Sequence, residues 1–237
     1  MDDIVWVLAT TDGTDTSMSG FIIMTMASIS LLGLLPVLGR RQVSKLGVYG
    51  HEISHGVVSL LTGGEFHRFH VGNQGGVCIT SGGNRKAITA AGYIGTIVLG
   101  AVFLARSAHS DTLAVTLQIL AVLLAISTLK AGDLHTAAVG TLVAAILGLC
   151  STLLPGALPT RFLLNLMGVI LIWEGFKEIR TLFVISATKT GTGSDAETMA
   201  RLTGRSALHW AVVFGGIALV ALLVIVGLAV KAGTNSI

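Results

Sequence analysis

The chain has 237 residues and a formal net charge of +3; 52% of its residues are hydrophobic, only 11% are charged, and the mean hydropathy is +0.83. A soluble domain carries roughly 25% charged residues, so there are too few charges here to coat a globule, and ordinary soluble, disordered and fibrous proteins are excluded. The composition is that of an integral membrane protein, and the small basic excess reads as loop charge that sets orientation, not as a nucleic-acid surface.

In chain order, residues 1–17 are polar and acidic (Asp2, Asp3, Asp12, Asp15), without the basic start of a signal peptide. A span needs about 20 mostly apolar residues, and 18–39 is the first to qualify. Residues 43–62 form a weaker span because they carry two His and a Glu. Residues 63–86 alternate in short runs around Gly75-Gly76, which predicts a β-hairpin. Further spans follow at 87–105, 112–130, 134–153 and 161–179. Residues 180–205 are polar and loop-like and turn helical at Asp195, and the last span is 206–230. The fold class is therefore an all-α polytopic membrane protein with six to seven transmembrane helices and one short hairpin, with residues 1–237 forming a single domain.

Small residues at four-residue spacing (Gly92, Thr96, Gly100; Gly140, Ala144, Gly148) allow close helix packing and are read as packing alone. With alternating spans, the hairpin side collects Arg68, Arg85, Lys86, Lys130, Lys177, Arg180, Lys189, Arg201 and Arg205. The other side collects Arg40, Arg41, Lys45, Arg106, Arg161 and Lys231. Nine against six puts the hairpin in the cytoplasm. Trp6, Trp173 and Trp210 read as interface anchors or packing residues. No organelle-targeting segment is visible, so a bacterial plasma membrane is the expected location.

The chemically informative string is His51-Glu52-Ile53-Ser54-His55. Histidines at i and i+4 share one helical face and can bind one ion. Glu52 follows the first of them and can take a proton from a water that a zinc ion acidifies. Ionisable residues in the middle of a lipid-facing segment cost about 2.5 kcal/mol or more each, so their presence points to function. A divalent-metal transporter or a non-catalytic membrane scaffold could use the same His pair. Transport sites, however, usually draw polar residues from several spans, and a scaffold has no need of Glu52.

The run GVYGHEISHGVVSLLTGG, the Gly-rich hairpin and AAGYIGTIVLGAVFL, with GSDAETMARLTG before the last span, resemble the site-2 protease family of intramembrane zinc metalloproteases. The closest likeness is to the compact branch without PDZ or CBS domains, and it covers residues 43–105 and 190–212. The resemblance implies a zinc endopeptidase acting on membrane-spanning or membrane-associated proteins. His51 and His55 would be ligands, Glu52 the catalytic base, and the hairpin a membrane-dipping loop that pairs with an unwound substrate. The family's third ligand is an Asp, usually in Leu-Asp-Gly, and that tripeptide is absent here.

Two aspartates are candidates for this third ligand: Asp195, in Gly-Ser-Asp-Ala before the final span, and Asp133, between two spans, with His135 beside it as a further donor. His51 lies about 11 residues, or roughly 16 Å, from the hairpin end of its helix, so either Asp must dip into the membrane. Asp195 has the longer approach and the family-like setting. The alternative for Asp195 is a helix cap, since Ser194-x-x-Glu197 is a capping box, but Asp195 is the expected third ligand. His67 and His70 fall on the hairpin and could form a second metal site only with further ligands. Glu174 pairs naturally with Lys177 at i, i+3, and Asn165 suits a hydrogen bond to a neighbouring helix or a substrate backbone.

Overall fold

The computed structural model describes residues 18–38, 40–72, 75–108, 112–153, 157–188, 191 and 193–234; Trp6, Lys189 and the acidic residues 1–17 lie outside them. Eight helices and one hairpin are present among these residues. They are α1 (Met18–Leu38), α2 (Arg40–Leu61), β1 (Gly64–Val71), β2 (Gly76–Gly82), α3 (Arg85–Ser107), α4 (Leu113–Thr128), α5 (Leu134–Leu153), α6 (Ala157–Thr188), α7 (Asp195–Thr203) and α8 (Ala207–Thr234).

Among the described residues, three helices are long and apolar enough to cross a bilayer: α3, α5 and the Ala207–Leu228 part of α8. Gly20–Leu34 within α1, and α4, are shorter apolar helices. The outer surface is apolar, with Val122, Leu123 and Ile126 of α4 and Leu223, Val224 and Leu228 of α8 all exposed, the reverse of a soluble protein. Two hydroxyls of α1 are satisfied by its own backbone: Thr25 and Ser30 donate to the carbonyls of Phe21 and Met26.

Helix ends follow local chemistry. Asn84 caps α3, its side chain accepting from the N–H groups of Lys86 and Ala87. Ser194 caps α7, and Gly204 ends it at φ 72°. Glu197 reaches further back than a simple capping box. Its two carboxylate oxygens accept from the N–H groups of Gly191 and Gly193, at 2.6 and 2.7 Å.

One boundary differs from expectation. The span expected to stop at 179 continues as α6 to Thr188, so residues 180–188 are helix rather than loop. Leu182 explains the extension. It is buried with Ala196, Met199, Ala211 and Phe214 in a cluster joining α6, α7 and α8, and only a continued helix brings it there. The hairpin also turns slightly earlier than expected, because Gly76 already pairs with Val71 in the last rung.

The hairpin packs along α2 through Tyr49, Phe66, Phe69 and Val71. Its β1 edge is bolted to the α4–α5 turn: Phe69 N donates to Lys130 O at 2.9 Å, Gly132 N to Phe69 O at 2.7 Å, and Val71 N to Thr136 Oγ1 at 2.8 Å. Among the described residues no strand pairs with the outer edge of β2.

Candidate metal centre

Helix α2 places His51 and His55 one turn apart, and their rings converge. The two Nε2 atoms are 3.1 Å apart, and Asp195 Oδ2 stands 3.3 Å from each. No other group of three His, Cys, Asp or Glu side chains gathers in this way among the described residues. Asp195 reaches the pair because α6 overshoots. From Glu178 the helix continues about 15 Å to Thr188, and six connecting residues, which can span about 20 Å, are enough to return the chain to the level of His51.

The hydrogen positions on both rings are set from outside. His55 Nδ1 faces the carbonyl oxygen of Ile88 at 2.6 Å, and His51 Nδ1 faces Glu178 Oε2 at 3.3 Å. The Ile88 oxygen can only accept, so Nδ1 carries the hydrogen in a neutral His55 and its Nε2 is bare; the Glu178 carboxylate, though not hydrogen-bonded to His51 Nδ1, favours the same tautomer there through its charge. Two bare nitrogens and a carboxylate oxygen then face one another, an arrangement that calls for a cation at its centre. Ligands about 2.0–2.1 Å from a tetrahedral ion lie about 3.3–3.4 Å apart, and the observed triangle of 3.1, 3.3 and 3.3 Å matches that spacing.

Helix α3 closes one side of the cradle. A Cβ on Gly92 would stand 2.6 Å from His55 Nε2, so Gly92 has a role at the site beyond the packing expected of it. The Tyr93 ring meets His51 edge-on, with centroids 4.6 Å apart. Glu52 is buried, 4% exposed, and its carboxylate lies against β2, where a Cβ on Gly76 would come within 2.6 Å of Oε1. His51, Glu52, His55 and Asp195 line one cavity of about 790 Å³, whose opposite wall is residues 75–78 and 80–82 of the hairpin.

This chain belongs to the peptidase M50B-like family. The family's model matches residues 21–225, most of the chain. No curated protein and no solved structure matches it. Family membership makes the protein a metallopeptidase, and the His51, His55 and Asp195 cluster of this M50B-like peptidase is consistent with its metal site.

The other sequence candidates lie elsewhere. Asp133 is bound to His70 Nδ1 at 2.7 Å and to the Thr136 N–H at 2.7 Å, on the hairpin anchor. His135 contacts Lys45 Nζ at 2.8 Å and Val71 O at 3.1 Å. His67 meets Ser81 and Glu65 on the hairpin. Glu174 pairs with Lys177, and both bond Ser44. Asn165 donates to Thr25 and Ser107 of neighbouring helices. Trp210 packs on Phe214, whereas Trp173 is exposed. Glu178 went unrecognised in the sequence. The available signal was a carboxylate in an otherwise apolar helix, which by default marks function.

Proposed function

We propose that the protein is an intramembrane zinc endopeptidase that cleaves membrane-spanning or membrane-associated proteins, with His51, His55 and Asp195 holding the metal and Glu52 as catalytic base. The observation that carries this reading is the convergence of three acceptor atoms within 3.3 Å of one another, in the same cavity as a buried glutamate. Two imidazoles and a carboxylate are a zinc donor set that leaves a fourth position open. When bound, zinc supplies a Lewis acid that polarises the scissile carbonyl and acidifies a water. Glu52 accepts the proton of the attacking water and passes it to the leaving nitrogen.

The outer edge of β2 is the natural seat for an unwound substrate segment. An extended peptide there gains backbone hydrogen bonds by strand addition, and Gly76 keeps the approach to Glu52 open. In this reading α1, α3, α4, α5, α6 and α8 span the bilayer beside α2, and residues 1–237 act as one domain. The hairpin lies on the cytoplasmic side of a bacterial plasma membrane.

Glu52→Gln tests the reading. Zinc content of the detergent-purified variant stays at one per chain, while cleavage of a transmembrane model substrate, followed by mass spectrometry, falls by about 10²–10⁴-fold. Cleavage at the parent rate would remove Glu52 from the chemistry, and no zinc-dependent cleavage by the parent protein would leave a metal-binding transporter or scaffold.

A further inference from the structure

We propose that Glu178 is a positioning residue for the metal: its carboxylate fixes the His51 tautomer and supplies the second negative charge that balances a divalent ion. The inference rests on the metal site described above. Glu178 Oε2 lies 3.3 Å from His51 Nδ1, on the side of the ring opposite Asp195. The pair is at ion-pair distance but outside good hydrogen-bond geometry, so charge is the larger part of what Glu178 brings.

Among the described residues, the side chains beside Glu178 are committed elsewhere. Lys177, adjacent in sequence, is paired with Glu174 and bonded to Ser44. Among the described residues the ion pair of Glu178 is with His51. Gly47 of α2 lies against the same stretch of α6: a Cβ there would stand 2.6 Å from Glu174 Cβ and in ordinary contact, 3.5 Å, with Glu178 Oε1.

The two histidines are thus supported differently. His55 is held by a neutral carbonyl and His51 by a carboxylate. Carboxylate support of a ligating imidazole orients the ring and raises its basicity. A dication with only Asp195 as anionic ligand would leave one net positive charge in a low-dielectric site, which is costly. Glu178 removes that excess and leaves Glu52 outside the charge balance, available to move protons.

The test is zinc affinity, measured by chelator competition on purified full-length protein in detergent. Glu178→Ala and Glu178→Gln are each expected to weaken zinc binding about 10–100-fold while helical content and the unfolding temperature of the zinc-free protein hold. Cobalt(II) substituted into either variant should keep a tetrahedral absorption band at saturating metal, because the three ligands remain. Zinc affinity within twofold of the parent in the glutamine variant overturns the proposal; that variant preserves volume and decides the matter if the alanine variant does not fold. His51→Ala separates the two readings. If it leaves zinc binding intact, the metal site itself is wrong. If it abolishes binding while Glu178→Gln does not weaken it, only the positioning role fails.

Discussion

A single missing carbon sets the shape of the candidate metal centre. Gly92 lets the α3 backbone lie over both imidazoles, and a methyl there would stand 2.5 Å from His51 Cε1 and 2.6 Å from His55 Nε2. Rings locked between Ile88 O, Glu178 and Asp195 have little room to withdraw. Gly92→Ala is therefore expected to lower zinc affinity by at least tenfold, the scale of losing a ring-orienting contact, with the chain still folded; zinc titration of the variant measures it. The His51–His55 pair was legible in sequence because its geometry is local, one helical turn within one element. Glu178 and the Ile88 carbonyl were not, because they meet those rings across 127 and 33 residues of chain, and nothing in a single helix announces its neighbour.

At the scale of elements, the hairpin is held on one edge and open on the other. Asp133 is central to the held edge. The Thr136 N–H and the His70 side chain keep its carboxyl below the ordinary 3.8. The folded state therefore favours the carboxylate, so this anchor contributes above pH 3.8 and is lost as pH falls through the lower folded-state value. Hydrogen exchange at Phe69 and Gly132, corrected for intrinsic rates, should rise in that acidic window. Asp133→Asn, which keeps the shape and loses the titration, should flatten the step. The hairpin itself was readable from alternation, although its turn ends before Gly76 rather than centring on Gly75-Gly76. The anchor was not, since β1 bonds to a turn some 60 residues away.

For the whole molecule, the decisive contact is between α3 and α6. A Cβ on Gly100 would be 2.9 Å from Gly168 O, and one on Gly168 would be 2.8 Å from Gly100 O, so the two backbones touch. That contact brings Gly92 and Glu178 to the same His51 ring, Gly92 beside Cε1 and Glu178 beside Nδ1. Gly100→Ala should cost about 1–3 kcal/mol through overpacking, read as a lower unfolding temperature in detergent. It should also weaken zinc binding although it touches no ligand. The amino-acid sequence by itself determined the membrane class, the order of the helices, the hairpin and the paired histidines, because apolar length, alternation and one-turn spacing are all local properties. The sequence already favoured Asp195 over Asp133 and an exposed hairpin edge, but the distance of Asp195 from both rings, the contact from Glu178 and the fact that β2 carries the open edge came only from tertiary structure. Leu182 is buried in the α6–α7–α8 cluster, which keeps α6 helical to Thr188 before the chain returns towards the candidate metal centre, and no local pattern records where a returning chain stops.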